Sequence, residues 1–340
     1  MKILVIRTSA MGDVALTVPV LAGFKEQHPG NEVILLTKKS FNPFFSSIGD
    51  LILFNPDFSE RHKGIFGILK LFRDIRSRHD PDIILDLHDV IRSKLLRCIF
   101  RIAGKKVYVI DKGRSEKRAL ITGKKKTFLK HATERYSDVF AEAGFNVVPA
   151  AGRFFKPPKQ SDDEAEALIQ KDILNIGVAP FAMHKLKMWP EEYMTELLQL
   201  IATRHDCRIF IFGGREDSAR AGLIQSKVPG CIIVSGKYSM ETELALMKRL
   251  NLMIAMDSSN MHMAALAGAR VVSIWGGTDP MAGFGPWMQP DNYAIRIPVE
   301  ELDCRPCTIY GKGTSRRGLE CMKRLTPDIV YSRIVKLGII

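Results

Sequence analysis

Short apolar segments alternate with longer amphipathic segments along the whole chain. The apolar runs, bounded by polar or glycine-containing turns, predict buried β-strands, and the segments between them repeat apolar residues at helical spacing. Strands are predicted at residues 2–6, 32–37, 83–87, 107–110, 174–179, 207–212, 231–234, 252–256 and 271–275, and helices near 14–27, 65–79, 90–103, 132–143, 162–171, 190–204, 216–226, 239–250, 260–268 and 326–338. Such alternation gives parallel sheets with right-handed crossovers, so the predicted fold class is doubly wound α/β.

The length of the chain indicates more than one core. A chain of 340 residues fits two domains better than one. Residues 145–164 are rich in proline and polar residues and are predicted to form the linker. We therefore expect a first domain over 1–155, a second over 156–325, and a final helical segment, 326–340, with the option of packing back on the first domain.

Two turns in the sequence are suited to binding an anion or another polar ligand. The first follows strand 2–6: Arg7 ends the strand, Gly12 lets the backbone approach a ligand, and Asp13 is expected at the N-terminus of the next helix. The second follows strand 252–256, where Ser258, Ser259 and Asn260 are all good N-cap residues.

The second turn is the clearer phosphate site. The first backbone N–H groups of the helix that starts there have no partner within the helix and favour an anion. His262 falls in the first turn of the same helix, within reach of a diphosphate or a ribose. Neither turn carries an obvious nucleophile.

Composition places the chain among soluble globular proteins. The hydrophobic content is 46% and no apolar run approaches the about 20 residues that span a bilayer. Six cysteines without a small disulfide scaffold fit a reducing compartment, and the first residues form a better strand than a signal peptide. We expect a cytoplasmic protein.

The net charge of +13 is concentrated in one region. Between Arg92 and Arg135 there are 15 basic residues against three acidic ones, a balance that attracts a polyanion. A solvated basic face, nucleic acid, and a phosphorylated lipid or membrane surface all remain open. Nucleic acid is the least favoured, since the region has few aromatics and no recognised nucleic-acid-binding motif. Lys124, Lys125 and Lys126 are the candidate contacts with an anionic partner.

Three cysteines near the C-terminus, Cys304, Cys307 and Cys321, have part of the spacing of a metal site. A structural zinc site needs a fourth cysteine or histidine, and no histidine follows His262. We predict a structural or adventitious thiol cluster and no metal.

Four motifs in order resemble the bacterial heptosyltransferases, glycosyltransferase family 9. They are MKILVIRTSAMGDVALTVPVL at the start, APFAMHKLKMWPEEY at 179–193, MDSSNMHMAALAGARVVSIWGGTDP at 256–280, and DCRPC with CMK at 303–307 and 321–323. The resemblance covers nearly the whole chain. It implies a GT-B fold, in which two Rossmann-like domains face each other across a cleft.

The resemblance also implies roles for individual residues. Asp13 matches the carboxylate proposed as general base on the acceptor hydroxyl, and Lys187 matches the lysine that contacts the donor phosphates. The family's nucleotide-sugar motif, D-[ST]-G-x-x-H, falls on four residues of this chain, with Ser259 in place of the family's glycine: Asp257, Ser258, Ser259 and His262. Glu216 is the candidate for a ribose contact, with Asp217 close behind; either could instead cap the following helix.

By resemblance, the reaction is an inverting glycosyl transfer without metal or cofactor. The implied donor is ADP-heptose. The implied acceptor is the inner core of lipopolysaccharide, a phosphorylated glycolipid, which would bring the protein into peripheral contact with the anionic inner face of the cytoplasmic membrane. No nucleic-acid partner is expected.

Other classes of protein stay open at this point. A sugar-nucleotide epimerase shares the GT-B fold and would release free sugar, and a non-catalytic nucleotide-sugar-binding protein would need the 257–262 motif but no carboxylate at position 13. An NAD-dependent oxidoreductase is disfavoured because the first turn, TSAMGD, has one glycine instead of G-x-G-x-x-G.

Overall fold

The computed structural model describes residues 1–340, and its contacts divide the chain into two compact units. The first unit comprises Met1–Lys112 and Ala132–Phe154; the second comprises Gly113–His131 and Phe155–Ile340. The break after Phe154 lies inside the predicted linker. The segment 113–131, which we expected in the first domain, packs instead within the second unit.

The first unit is a five-stranded parallel sheet with helices. Its strands are β1 (Lys2–Ile6), β2 (Glu32–Leu36), β3 (Leu51–Phe54), β4 (Ile83–Asp86) and β5 (Lys106–Val109), and its helices are α1 (Met11–Ala15), α2 (Val18–Gln27), α3 (Gly64–Arg78), α4 (Ile91–Ile102) and α6 (Ala132–Glu142), with α5 (Arg114–Ile121) assigned to the second unit. The central strands are apolar and buried on both faces, as parallel strands covered by helices must be.

The second unit holds a six-stranded parallel sheet. Its strands are β6 (Leu174–Ala179), β7 (Cys207–Ile211), β8 (Ile232–Ile233), β9 (Leu252–Met256), β10 (Arg270–Ile274) and β11 (Ala294–Ile295), and its further helices are α7 (Lys159–Leu168), α8 (Glu191–Arg204), α9 (Ser218–Lys227), α10 (Met240–Met247), α11 (Ser259–Ala267), α12 (Glu320–Lys323) and α13 (Pro327–Lys336). Together the two sheets confirm the predicted doubly wound α/β fold of the GT-B class.

In each sheet, the direction in which successive strands are added reverses beside the first strand. The strand order is β3-β2-β1-β4-β5 in the first unit and β11-β10-β9-β6-β7-β8 in the second. The crevice at such a switch point, outside the carboxyl ends of the strands, is where open α/β sheets bind ligands. The loops after β1 and β4 must therefore meet in the first unit, and the loops after β6 and β9 in the second.

Several elements differ from the prediction. Strand β3 and helix α5 were not predicted, and α7 begins at Lys159, inside the stretch assigned to the linker. The single helix predicted at 14–27 is two helices, because the chain turns at Leu16 and Thr17 before Pro19 and the Thr17 hydroxyl donates to the Val14 carbonyl at 2.7 Å. Proline is accepted in the first turn of a helix but not in its interior.

The final helix, α13, belongs to the second unit and packs on its helix α8. Its apolar residues Val330 and Ile334 join the second unit's core. The buried indole of Trp189 donates to the carbonyl of Leu325 at 2.9 Å, just before the helix begins. The buried side of the helix thus belongs to the core of the second unit.

Candidate active site

In the first unit, a buried arginine holds Asp13. Arg7, at the end of β1, forms an ion pair with Asp13 at 2.6 Å and donates to the Leu87 carbonyl after β4. The Tyr136 hydroxyl donates to the Asp13 carbonyl at 3.2 Å. Burial lowers the pKa of Arg7, but the Coulombic attraction of Asp13 leaves that pKa raised overall. The Asp13 side chain keeps 31% of its surface exposed and can still meet a ligand.

The sequence suggested that Asp13 would lie at a helix N-terminus and cap it, but Asp13 caps no helix. It is the third residue of the five-residue helix α1, whose N-cap is Ala10, and no side chain caps that helix. Its orientation comes from Arg7. The sequence showed Arg7 ending the strand, but it did not show that its guanidinium would turn to Asp13.

His88, in the loop after β4, ties the two switch-point loops together. Its ring nitrogens lie 3.2 Å from the Thr8 hydroxyl and 3.0 Å from the Ser9 hydroxyl. Burial, followed by the nearby charge of Arg7, lowers the pKa of His88 to about 4. The histidine is therefore neutral at neutral pH, with one nitrogen donating and the other accepting. We did not single it out from the sequence, where its one signal is its position directly after a buried strand.

The lowered pKa of His88 makes the first unit sensitive to acid. The fold favours the neutral ring, so its stabilisation is complete above the unfolded pKa of about 6.5 and is lost as the pH falls toward about 4. The shift corresponds to about 3 kcal/mol. We expect His88→Gln to be less sensitive to a change from pH 7 to pH 4 than the parent. Urea unfolding at both pH values, followed by hydrogen exchange in β1 and β4, measures this, and an equal loss in both proteins would contradict it.

In the second unit, a lysine and an aspartate meet at the switch point. Lys187 lies in a short 3-10 turn after β6 and its Nζ is 2.9 Å from Oδ2 of Asp257, which directly follows β9. Both side chains are largely buried. Asp257 thus holds Lys187 at the carboxyl edge of the sheet.

The N-terminus of α11 adjoins this pair. Ser258 is the N-cap, but its side chain makes no cap hydrogen bond, and its buried hydroxyl oxygen has no hydrogen-bond partner in the protein. Ser259 opens the helix, and His262 is buried one turn further along. The helix includes Ala264, Ala265 and Ala267 and ends at Gly268, whose φ of 93° is the left-handed C-cap conformation that glycine adopts freely. A lysine beside a helix N-terminus is an arrangement that suits a phosphate, so phosphate binding here stays a prediction.

In the loop after β7, the two acidic candidates differ in whether their carboxylates are available to a ligand. Asp217 accepts from the Gly214 backbone N–H at 3.0 Å and pairs with Arg220 at 3.1 Å, so its carboxylate holds its own loop. Glu216 is exposed beside it. Of the two, Glu216 is the one available to a ligand, and its ribose contact stays a prediction.

A buried ion pair that the sequence did not reveal supports the lysine turn. Arg305 and Asp279 are fully buried and 3.1 Å apart. Burial lowers the pKa of Arg305 and raises that of Asp279. Arg305 also donates to the Gly276 carbonyl at 2.9 Å, and the next residue, Gly277, donates its N–H to the Leu186 carbonyl at 2.9 Å. The loop after β10 is therefore fixed against the residue that precedes Lys187.

The three candidate lysines lie on the segment 113–131 in the second unit. Lys124 and Lys125 are exposed, whereas Lys126 donates to the Asp303 carbonyl at 2.9 Å. The Leu129 backbone N–H donates to Met281 at 2.8 Å. The expectation that these lysines belong to the domain of Asp13 is wrong, because apolar side chains of this segment, such as Leu120, pack with Met281 and Ile309.

The cysteine trio shows no metal geometry. Cys304 and Cys321 are buried, and the Cys307 thiol lies 3.3 Å from the Cys304 carbonyl. Burial raises the pKa of Cys321 to about 11, so this thiol stays protonated at neutral pH. No group of three or more His, Cys, Asp or Glu side chains in residues 1–340 is arranged to hold a metal ion. Likewise, none of the helices is both long enough and apolar enough to span a membrane.

Comparison with known proteins found relatives in both sequence and structure. The model of glycosyltransferase family 9 (heptosyltransferase) matches residues 68–309. The lipopolysaccharide core heptosyltransferase OpsX of Haemophilus influenzae is 22% identical over 98% of this chain and 96% of that protein. A family 9 glycosyl transferase structure from Veillonella parvula has a TM-score of 0.78 at 19% identity, covering 99% of this chain and 96% of that one. Heptosyltransferase WaaC of E. coli, solved with ADP-2-deoxy-2-fluoro heptose, has a TM-score of 0.69 at 18% identity, covering 99% of this chain and 100% of that one.

Proposed function

Because this chain belongs to glycosyltransferase family 9, the heptosyltransferases, and is therefore a glycosyl-transferring enzyme, we propose that it moves heptose from ADP-heptose to a hydroxyl of the lipopolysaccharide core. The donor is suggested by WaaC, which was solved with an ADP-heptose analogue, and the acceptor by OpsX, a lipopolysaccharide core heptosyltransferase. Family membership disfavours an epimerase and a non-catalytic binding protein.

The observation that carries the proposal is the phosphate site of the second unit. When the donor binds, its diphosphate would accept from Lys187 in place of Asp257, and from the free N–H groups at the start of α11. As the glycosidic bond breaks, negative charge grows on the leaving ADP. Fixed donors that meet growing charge are usually the largest source of rate in such a site.

The first unit supplies the base in this proposal. Asp13 takes the proton from the acceptor hydroxyl, which attacks the anomeric carbon from the face opposite the leaving ADP and inverts it. Arg7 fixes the carboxylate for this step. The proposed reaction uses no metal and no cofactor, since Lys187 and α11 supply the positive charge that a metal would bring.

The acceptor is proposed to be lipid-linked and phosphorylated, which would place the enzyme at the cytoplasmic face of the membrane. Lys124 and Lys125 are exposed and remain the proposed contacts with acceptor phosphates, while Lys126 is already bonded to the Asp303 carbonyl.

One experiment tests the proposed function. The purified chain is incubated with ADP-heptose and with other nucleotide sugars, with and without lipopolysaccharide core acceptor, and products are identified by mass spectrometry. We expect heptose on the acceptor in the ADP-heptose reaction only, and the same yield in EDTA. Free heptose without acceptor would indicate another activity, and loss in EDTA with rescue by a divalent ion would refute the metal-free mechanism.

Replacing the lysine or the histidine of the proposed donor site should weaken donor binding. Lys187→Ala and His262→Ala each remove a proposed charge-assisted or polar contact with ADP-heptose, worth roughly 1.5–3 kcal/mol. Calorimetry with ADP-heptose measures the loss. Lys185→Ala is the matched control, because Lys185 lies exposed in the same turn. Unchanged affinity in both variants would remove this site from the mechanism.

A further inference from the structure

Helix α3 leaves apolar side chains in solvent. Its buried face is formed by Gly67, Ile68, Leu71 and Ile75. On the other side, Ile65 is 68% exposed and Phe66 is 80% exposed, with Leu69 one turn further along. Large apolar groups grouped on one face of a helix in this way mark an interaction surface.

Helix α4 repeats this arrangement beside it. The two helices are neighbours, with the rings of Phe72 and Phe100 4.9 Å apart. Ile91, Leu95, Cys98 and Ile102 follow the spacing i, i+4, i+7 and i+11, which places them on one face of a helix. That face is opposite the buried residues of α4, and Ile91 and Ile102 are 79% and 83% exposed. We refer to these residues of α4, together with Ile65, Phe66 and Leu69 of α3, as the α3–α4 face.

The two helices that carry the α3–α4 face are strongly basic. Helix α4 has no acidic residue. The one acidic residue of α3, Asp74, is paired with Arg61 at 2.7 Å and with His62 at 3.0 Å. The basic residues of the two helices are Lys70, Arg73, Arg76, Arg78, Arg92, Lys94, Arg97 and Arg101. Three of them form ion pairs with aspartates outside the helices: Arg76 with Asp80, Lys94 with Asp89, and Arg97 with Asp86 and Asp89. The excess positive charge therefore comes from the other five.

We propose that the α3–α4 face docks the enzyme on an anionic lipid bilayer. Exposed apolar side chains that enter the boundary between headgroups and acyl chains, flanked by Arg and Lys at headgroup level, are what a surface-binding helix pair requires. The basic residues beside the exposed apolar side chains favour an anionic bilayer as the partner, because they complement its headgroups. An apolar protein surface would not require them. This inference rests on the proposed function, which it deepens by naming the surface that brings the enzyme to a lipid-linked acceptor.

Vesicle binding tests the proposal. The full chain is sedimented with phosphatidylcholine vesicles and with vesicles that also contain phosphatidylglycerol. We expect binding to the anionic vesicles, and a loss of about tenfold or more in the triple variant Phe66→Ser, Ile91→Ser, Ile102→Ser, which removes three inserting side chains. Arg73→Glu with Arg101→Glu should reduce binding most at low salt. The matched control is Leu223→Ser with Lys227→Glu, an exposed apolar and basic pair on α9 of the second unit, which should bind like the parent.

Three results would overturn the inference. The triple variant could bind anionic vesicles as well as the parent does, or the α9 control could lose as much vesicle binding as the triple variant. Finally, the parent could be self-associated and the triple variant monomeric, with no change in vesicle binding. The last would assign the face to a second copy of the chain. Transfer to a lipid-free, water-soluble core acceptor separates this inference from the proposed function. That activity should be unchanged in the triple variant. If the parent shows no transfer but its vesicle binding depends on the face, only the proposed function fails.

Discussion

Replacing Asp13 by asparagine is expected to lower turnover by about 10²–10⁴-fold, the usual contribution of a general base. Asparagine keeps the shape of the side chain but cannot take the acceptor proton. The affinity for ADP-heptose should stay close to that of the parent, because Lys187 and the N-terminus of α11 belong to the second unit. Steady-state kinetics with acceptor, together with calorimetry for the donor, separate the two effects.

The control for this substitution is Asp82→Asn in the same unit. Asp82 is also a carboxylate near a strand end, but it accepts from the backbone N–H of Lys2 at 2.7 Å, before β4 begins. Its replacement should leave turnover near the parental value. A folded Asp13→Asn protein with normal donor affinity and turnover within a few-fold of the parent would exclude Asp13 as the base.

The sequence predicted the positions of the two polar turns because their signals are local. An apolar run, a polar turn and the start of a helix are neighbours in the chain, so the order of residues alone assigns Asp13 and Ser258 to the carboxyl ends of strands. Parallel topology then determines which loops meet. The pairs Arg7–Asp13 and Lys187–Asp257 both lie at the carboxyl edge of their sheet, beside the switch point that the strand order defines.

The partners of these residues were harder to predict because they depend on side-chain direction and on contacts distant in sequence. His88 meets Thr8 and Ser9 across about eighty positions. Nor does the sequence show that residues 113–131 pack in the second unit, since the contacts of Leu120 with Met281 and Ile309 join segments far apart in the chain. Helix α13 is a similar case: the helix was predicted from the sequence, but the core that it joins was not.

Arg305 is the clearest example of a residue whose partners could not be predicted, because they come from several loops. Besides Asp279 and Gly276, its guanidinium donates to the carbonyls of Ile297 and, at 3.2 Å, Thr278. Lysine could not replace it, since a single ammonium cannot reach acceptors spread around a planar fork. The arginine is thus the centre of the loop that lies against Leu186, next to the proposed phosphate-binding lysine.

Arg305→Met should therefore destabilise the second unit by about 3–5 kcal/mol, because it removes the closer ion-pair partner of buried Asp279 and leaves Arg296, 3.9 Å away, as its cationic neighbour. Urea unfolding followed by tryptophan fluorescence measures this selectively, since all three tryptophans, Trp189, Trp275 and Trp287, belong to the second unit. The control is Arg324→Met, which removes an exposed pair with Glu301 at 2.7 Å and should cost less than about 1 kcal/mol. A comparable loss in the free energy of unfolding of the two variants would show that the buried pair stabilises the unit no more than the exposed pair does. A larger loss in Arg305→Met, accompanied by weaker ADP-heptose binding in the folded variant, would link the pair to the position of Lys187 through the contact between Gly277 and Leu186.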